Sequence, residues 1–325
     1  MKPPYQITPT ILQLLSSVSE KIGEVNANLM DRPSPVLRKR SKARTIHYSL
    51  NIEGNTLTLE QVAALIEKKP VAGPEKDVLE VLNAVKVYDN IASYDPFSRG
   101  SFLNAHRQFM DGIIENAGKY RSQSVGIFRG SRVTHIAPAA GRVNALMNDL
   151  FAYLKRPDEL SLIKSCVFHY EMEFIHPFMD GNGRMGRLWQ TVILMNAYPV
   201  FEFLPFEILI SKTQQDYYDA LATSDSEGSS SAFIEYMLNI IDKALTERLN
   251  FRSRILSDID RLEYFHELGI REFTRKDYMN VFKNLSSATA SRDLKKGVEM
   301  GLFTQSGEKN QTVYRCKNNK KGNIG

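Results

Sequence analysis

The sequence predicts a mainly α-helical chain with one β-hairpin, closed at its C-terminal end by a small α+β module. Three observations predict this. Apolar residues recur at three- and four-residue spacing through most of positions 58–113 and 143–195, the signature of helices with one buried face. One stretch of the first 250 residues, 125–136, reads instead as two short strands around a turn. The charge balance then shifts near residue 251. Residues 251–325 hold 15 Lys and Arg against 9 Asp and Glu, a balance of +6, which leaves 27 against 28, or −1, for residues 1–250. That asymmetry points to modules with different partners. We place their boundaries at 1–100, 101–250 and 251–325.

The elements follow in order. "TLTLEQVAALIEKK" opens with Thr58 three residues before Gln61, a capping-box spacing, and its helix runs to Lys69. "PVAGPEK" breaks it. Val78, Val81, Leu82, Val85 and Val87 mark the next helix, and Phe102, Ala105, Phe109 and Ile113 the one after. In "YRSQSVGIFRGSRVTHIAP", Val125, Ile127, Val133 and Ile136 flank Arg129-Gly130-Ser131, which reads as the single hairpin of the region. "RVNALMNDLFAYLKR" and "LSLIKSCVFHYEMEFIHP" are helices. Pro177 ends the second, because proline disfavours the helical region for the residue before it. "RMGRLWQTVILMNAY" begins another, with Leu188, Val192 and Met195 along one face.

With 325 residues, 42% hydrophobic and 24% charged, the chain can bury a sizeable core. Its start, "MKPPYQITPT", has no apolar run of signal-peptide length, and no later stretch reaches membrane-spanning length. A cytoplasmic location without membrane contact is therefore expected. Cys166 and Cys316 lie far apart and neither belongs to a Cys-x-x-Cys pair, which argues against structural zinc and a disulfide framework.

The chemistry concentrates between two apolar helices, in "HPFMDGNGRMGR", residues 176–187. Asn182-Gly183 would suit a hairpin turn, but its flanks are helical in period. Asp180-Gly181-Asn182 starts like a calcium loop. It then places Arg184, Met185 and Thr191 where that loop needs an acid, a glycine and a bidentate glutamate. Gly181, Gly183 and Gly186 match the G-x-G-x-x-G of dinucleotide-binding turns, with Glu202 as a ribose-binding acid, a reading that needs a strand before the glycines. A purely structural reading, with a capped helix, a core histidine and two solvated arginines, explains each residue singly and the set poorly.

A glycine-rich entry to a helix lets backbone N–H groups and the positive helix end hold an anion. Gly181, Asn182 and Gly183 are placed to do so for phosphates. Arg184 and Arg187, three apart on the first turn, share a face, and a guanidinium fork fits phosphate oxygens. Asp180 supplies a hard oxygen, and magnesium is held by one or two carboxylates together with substrate phosphates. His176 can accept a proton near neutral pH. Together these make a phosphoryl- or nucleotidyl-transfer site.

The stretch resembles the Fic family motif, His-Pro-Phe-x-Asp/Glu-Gly-Asn-Gly-Arg-x-x-Arg, with every defined position filled. The likeness extends to "GKYR" before the hairpin, "HIAP" after it and "YYDAL" at 217–221, and covers roughly residues 35–245. It implies a helical-bundle core with a hairpin flap at 125–135. The activity implied is transfer of AMP from ATP to a Ser, Thr or Tyr hydroxyl of a protein. His176 would be the general base and Asp180 the Mg²⁺ ligand. Gly181, Asn182 and Gly183 would form the anion hole, with Gly186 in the same phosphate-binding turn. Arg184 and Arg187 would grip the outer phosphates. The flap edge, Val125, Gly126, Ile127 and Phe128, would align a target segment by strand addition, the target being another protein or the chain itself. Tyr217 would lie near the adenosine. Eight residues on, where some relatives carry asparagine, this chain has Asp225.

"HYSLNIEGN", residues 47–55, resembles the family's inhibitory motif, Ser/Thr-x-x-x-Glu-Gly/Asn, through Ser49, Glu53 and Gly54. The resemblance implies autoinhibition. A carboxylate beside Arg187 would neutralise the cation meant for the γ-phosphate and occupy its space, and proximity catalysis is steeply sensitive to such displacement. The motif precedes the catalytic core, the family's N-terminal arrangement.

In the tail, "TRKDYMNVF" and "SSATASRDLKKGVEMGLF" read as two helices. The second turns Ala290, Leu294 and Val298 inward and Ser287, Arg292, Lys295 and Lys296 outward. "GLFTQSGEKNQTVYR" then alternates across a Gly-Glu-Lys-Asn turn. Helix, helix and hairpin resemble a winged-helix domain, whose partner is either a docking protein or DNA, since its second helix can enter a major groove. Two function classes follow: an adenylyltransferase, or a DNA-binding regulator whose nucleotide site is a sensor. Within the first, another phosphate donor or the removal of AMP are variants of the same site. A homodimer is the expected assembly.

Overall fold

The computed structural model describes residues 2–28, 35–129, 132–253, 258–267, 270–282, 285–307 and 312–316. Two helices precede the first one anticipated above: α1 (Pro9–Asn28) and α2 (Pro35–Ile52). On α1, Ile11, Leu15, Val18, Ile22 and Val25 form a buried stripe at alternating four- and three-residue steps. On α2, Ala43, Ile46, Leu50 and Ile52 carry the buried apolar face among residues 38–52, a stretch otherwise mostly polar or basic. Ser49 therefore sits inside a helix, and Glu53 directly follows its last residue.

The capping box forms as the spacing predicts. Gln61 N–H donates to Thr58 Oγ1, and Thr58 N–H donates back to Gln61 Oε1. Its helix, α3 (Leu59–Ile66), stops before Lys69, however, in a turn that takes Lys68 to φ 58°. Helices α4 (Glu75–Asp89) and α5 (Arg99–Phe109) follow. On α4 the buried face is Val81, Ala84 and Val87 with Glu80 and Asn83, whereas Leu82, expected inward, is 39% exposed. Both polar residues have partners: Asn83 Nδ2 donates to Asp111 O at 2.7 Å, and Glu80 takes its partners in the site described below. Of the apolar positions expected on the next helix, Phe102, Ala105 and Phe109 are buried on α5, and Ile113 lies beyond its end.

The hairpin is β1 (Gly126–Arg129) and β2 (Arg132–Ile136), antiparallel with Gly126 opposite Ile136 and a bulge between Ile127 and Phe128. Gly130 and Ser131 of its expected turn lie outside the described residues. Then come α6 (Ala140–Leu154), α7 (Ser161–Ile175), α8 (Asn182–Ala197), α9 (Glu207–Lys212), α10 (Gln214–Glu227) and α11 (Ser231–Ser253). α7 and α8 pack against each other, with Phe102, Phe151, Phe168, Phe178 and Trp189 in one aromatic cluster beside them. Because α7 is a helix, no strand leads into Gly181, and the dinucleotide-binding reading fails on the geometry it needs. No helix of the described residues is long and apolar enough to cross a membrane.

Residues 1–250 form one compact unit and 251–325 a second. The second contains a helix that the sequence reading missed, α12 (Asp258–Glu267), then β3 (Glu272–Phe273), α13 (Arg275–Val281), α14 (Ser287–Glu299), β4 (Phe303–Ser306) and β5 (Val313–Cys316). The strands order as β3-β5-β4, all antiparallel. Glu308, Lys309 and Asn310 of the expected turn lie outside the described residues. Ala290 and Leu294 are buried on α14, and Val298 is half-buried. Asp293 beside them is buried too. Arg261 of α12 donates to it through Nε at 2.6 Å and Nη2 at 3.0 Å, and Tyr278 of α13 through its hydroxyl at 3.1 Å.

Three helices thus meet on one carboxylate. Removing one member of a buried pair strands the other's charge and costs about 3–5 kcal/mol. Asp293→Ala should lower the stability of the second unit by that order, read as accelerated hydrogen exchange in α12, α13 and α14. Unchanged protection there would contradict the network's role.

Candidate active site

The loop that joins α7 to α8 is built by its backbone. α7 ends as predicted before Pro177, with His176 N–H donating to Met172 O at 3.0 Å. His176 does not take the extended conformation usual before proline. It lies in the left-handed region, at φ 49° and ψ 59°. That turn reverses the chain, and Gly181 repeats the device at φ 84° just before α8 starts at Asn182. A Cβ on Gly181 would stand 2.8 Å from Met110 Sδ, so the position needs glycine on both counts. Between the two turns, Asn182 clasps Phe178: its Oδ1 accepts from Phe178 N–H at 2.9 Å and its Nδ2 donates to Phe178 O at 3.0 Å. Phe178 is fully buried, stacked on His106 with ring centres 3.5 Å apart.

The loop and helix start line a cavity of about 360 Å³, together with Glu53, Glu173, Phe174 and one face of α10. His176, Asp180, Gly181, Asn182, Gly183, Arg187 and Tyr217 all border it. Arg187 is fully buried. It donates through Nε to Ser49 Oγ at 3.1 Å, and through Nη2 to Ser49 O at 2.9 Å and Glu53 Oε1 at 2.6 Å. Its Nη1 is buried with no hydrogen-bond partner and lies 3.1 Å from where a Gly183 Cβ would be. Burial works to lower the pKa of this guanidinium. Together the Glu53 carboxylate, Tyr217 and Glu173 outweigh it, so the net direction is upward. Glu53 reaches in from a turn just past α2, in which Gly54 takes φ 93° and its N–H donates to Asn51 O. The turn is tethered by Asn55, whose Nδ2 donates to Glu80 Oε2 at 2.9 Å and to Asp77 O at 3.1 Å.

Two sequence-derived assignments come out differently. Arg184 does not share a cavity face with Arg187. It is 3% exposed and turned to Glu80 Oε1 at 3.0 Å and Asp180 Oδ1 at 2.6 Å. The buried carboxylate of Glu80 on α4 requires a cation, and Arg184 supplies it at 3.0 Å, with Lys76 farther off at 4.0 Å. Gly186 does not border the cavity either. A Cβ there would lie 2.7 Å from His169 Cδ2 and 3.0 Å from Glu173 Oε1, so this glycine lets α8 approach α7. Val125 is half-buried just before β1, and Gly126, Ile127 and Phe128 run along that strand.

Three residues that the sequence reading gave no role organise the site. His106 of α5 accepts from Gly118 N–H at Nδ1, 2.8 Å, which leaves Nε2 as the donor to Asp180 O at 3.0 Å. His169 of α7 donates from Nδ1 to Gln190 Oε1 at 2.7 Å and accepts the Tyr217 hydroxyl at Nε2, 3.1 Å. Arg121 donates from Nε to His176 O at 2.8 Å. A histidine on an apolar helix face and an arginine in a loop look in sequence like ordinary core and surface. Among the described residues no cluster of three or more His, Cys, Asp and Glu could hold a metal, so Asp180 stands as a single carboxylate, its Oδ1 shared between Gly181 N–H and Arg184.

Burial pushes His106 down to about 4, partly offset by its bond to Asp180 O, and pushes His169 down to about 3. Unfolded, both bind protons near pH 6.5. Between that value and about 4 the unfolded chain therefore holds more protons than the folded one. The stabilisation from neutral burial is complete above roughly pH 6.5 and is lost as pH falls through that window. The thermal midpoint should drop progressively from about pH 7 to 5, and His106→Gln should flatten the slope. An identical slope in the variant would remove His106 as a cause.

The Fic/DOC family profile matches residues 96–194. The chain is 30% identical over 255 residues to the protein adenylyltransferase Fic of Nematostella vectensis, covering 73% of this chain and 57% of that protein. It is 28% identical over 310 residues to that of Drosophila mojavensis, covering 89% and 57%. The chain thus spans little more than half the length of these curated relatives. A Fic family protein from Desulfovibrio desulfuricans G20 has a crystal structure that superposes with a TM-score of 0.74 at 39% identity, over 98% of this chain and 99% of that one. The C. elegans Fic-1 fragment shares the fold at a TM-score of 0.61 and 22% identity. A likeness that runs nearly end to end in both chains, with the complete 176–187 motif at the cavity, places this chain in the Fic family.

Proposed function

We propose that the chain is a nucleotidyltransferase that moves AMP from ATP to a protein hydroxyl and is held back by its own Glu53. The observation that carries this is the buried Nη1 of Arg187, without an acceptor, at the N-terminal end of α8 in the same cavity as His176. A buried guanidinium N–H with no partner is costly unless a ligand satisfies it. Its fork and the first N–H groups of α8 suit phosphate oxygens. The curated relatives are named protein adenylyltransferases, which gives the anion its nucleotide.

In this reading the triphosphate lies over Gly181, Asn182 and Gly183, with Arg187 at its outer end and Tyr217 on the nucleoside side. Asp180 is the hard-oxygen donor just before α8, and one carboxylate together with the phosphate oxygens would suit magnesium arriving with the nucleotide. Arg184 then holds Asp180 and does not touch the phosphates. The target segment pairs with the outer edge of β1 at Gly126, Ile127 and Phe128. His176 takes the proton from the target hydroxyl as its oxygen bonds to the α-phosphorus. The bond from that phosphorus to the α,β-bridging oxygen breaks, and pyrophosphate leaves with the electron pair.

Glu53 opposes this in two ways. Its carboxylate occupies an Arg187 donor, and Oε1 lies 2.3 Å from a Cβ position at Gly183, within the hollow where phosphate would sit. ATP then enters only displaced from in-line attack. Misplacement on the ångström scale costs about 10²-fold, so Glu53→Gly should raise the rate by that order. The test is mass spectrometry of Glu53→Gly protein with ATP and Mg²⁺, alone and with lysate, beside the His176→Ala double variant. A histidine-dependent gain of one AMP is expected. No adduct in any sample would overturn the transfer reading, and an adduct equal in the parent protein would overturn inhibition by Glu53.

For residues 251–325 we favour a winged-helix-like module that docks a protein over one that binds DNA. On α14, Ser287, Arg292 and Lys295 are exposed, but Lys296 is paired with Asp258 at 2.7 Å, which weakens the cationic face a duplex would need. Full-length protein should show no duplex affinity whose logarithm falls linearly with the logarithm of salt concentration, and such a slope would reverse the preference.

A further inference from the structure

The geometry points to Arg121 as a positioning residue of the transfer reaction, one that holds the base and the target-binding hairpin in a common frame. This rests on the adenylyl-transfer reading. Arg121 is 4% exposed, yet every acceptor it engages is a main-chain oxygen. Nε donates to His176 O at 2.8 Å, and Nη2 donates to Ile175 O at 3.3 Å. Nη1 donates to Gln123 O at 2.8 Å, and Nη2 also to Pro138 O. Its own N–H donates to Pro177 O at 2.8 Å.

These acceptors fall into two groups. Ile175, His176 and Pro177 are the turn that presents the imidazole. Gln123 and Pro138 are the two feet of the hairpin, one before β1 and one after β2. His176 is in the left-handed region, which a non-glycine residue keeps only where its surroundings over-determine it. Arg121 supplies that determination from the carbonyl side, while Met172 O holds the N–H side. Only a guanidinium has donors spread over a planar fork that can reach four carbonyls at once. A lysine ammonium presents three donors at one point. Without the fork the imidazole and the strand that delivers the hydroxyl lose their common reference, while the anion seat at Gly183 and Arg187 keeps all its own bonds. The defect therefore belongs to turnover and not to nucleotide binding.

The test uses the full chain carrying Glu53→Gly, with Arg121→Lys and Arg121→Ala added. Expected are a fall in kcat of about 100-fold in both, nucleotide affinity by calorimetry within about threefold of the parent, and partial recovery of Arg121→Ala, but not of the His176→Ala control, by millimolar guanidinium. A purely structural role would instead lower folded fraction, nucleotide affinity and rate together, with no recovery. A second arm does not depend on activity. In ¹³C-histidine-labelled protein, the ring signal that His176→Ala deletes should shift and broaden in Arg121→Lys, while the His169 signal stays in place. An unmoved His176 signal, or an unchanged kcat, overturns the assignment. Absence of transfer in the Glu53→Gly parent would defeat the adenylyl-transfer reading instead, and the ring signal would still decide whether Arg121 holds the turn.

Discussion

A fully buried guanidinium sets the layout of the first 250 residues. An ion taken out of water loses several kcal/mol unless partners replace its hydration, and the fully buried Arg187 draws its partners from α2 and the turn after it. Ser49 supplies a hydroxyl and a carbonyl from within α2, and Glu53 a carboxylate from the turn beyond it. Gly183 supplies nothing, which is its contribution, since the space beside Arg187 Nη1 stays open. Between residues 38 and 52, α2 buries Ala43, Ile46, Leu50 and Ile52. Its place across α8 is fixed as much by these polar bonds as by Ile46 and Leu50.

A second layer orients the loop before α8 from behind. His106 bonds Asp180 O, Asn182 clasps Phe178, and Phe178 is wedged into the aromatic cluster with Phe102. Asn55, Glu80, Arg184 and Asp180 form a continuous run of charge-assisted contacts from the turn after α2 to the carboxylate just before α8. Such networks have well-defined geometry because a half-satisfied member is expensive in a low-dielectric interior. The turn that bears Glu53 and the loop that bears Asp180 are therefore parts of one hydrogen-bonded frame.

Much of this was legible in the sequence. Helical spacing located α4 to α8, the capping box located the start of α3, and one alternating stretch located the hairpin. The motif at 176–187 brought His176, Asp180, Gly181, Asn182, Gly183 and Arg187 to one cavity. What escaped has physical reasons. A spacing rule puts Arg184 and Arg187 on neighbouring faces, but their long side chains go where counter-charges lie, and Glu80 is 104 positions away. Gly186 reads as another phosphate-binding glycine, since sequence does not distinguish room for a ligand from room for a neighbouring helix. α12 escaped because its burial depends on α13 and α14 folding around Asp293. Arg121 was seen only as part of a familiar tetrad, because its partners are carbonyl oxygens, which every residue possesses.

The absent side chain of Gly183 has an evolutionary consequence. In the proposed reading the hollow it leaves takes either the carboxylate of Glu53, whose Oε1 lies 2.3 Å from where a Cβ would stand, or the oxygens of a nucleotide, so a side chain there would crowd both. On that reading drift at this position would not release the brake while sparing the engine. One change at Glu53, in the turn after α2, would lift the restraint and leave Gly181, Asn182 and Gly183 unaltered. A lineage built on this arrangement passes more easily from restrained to unrestrained than back. Return would require the carboxylate to be regained while the left-handed Gly54 and the helix-borne Ser49, no longer needed for restraint, were still in place.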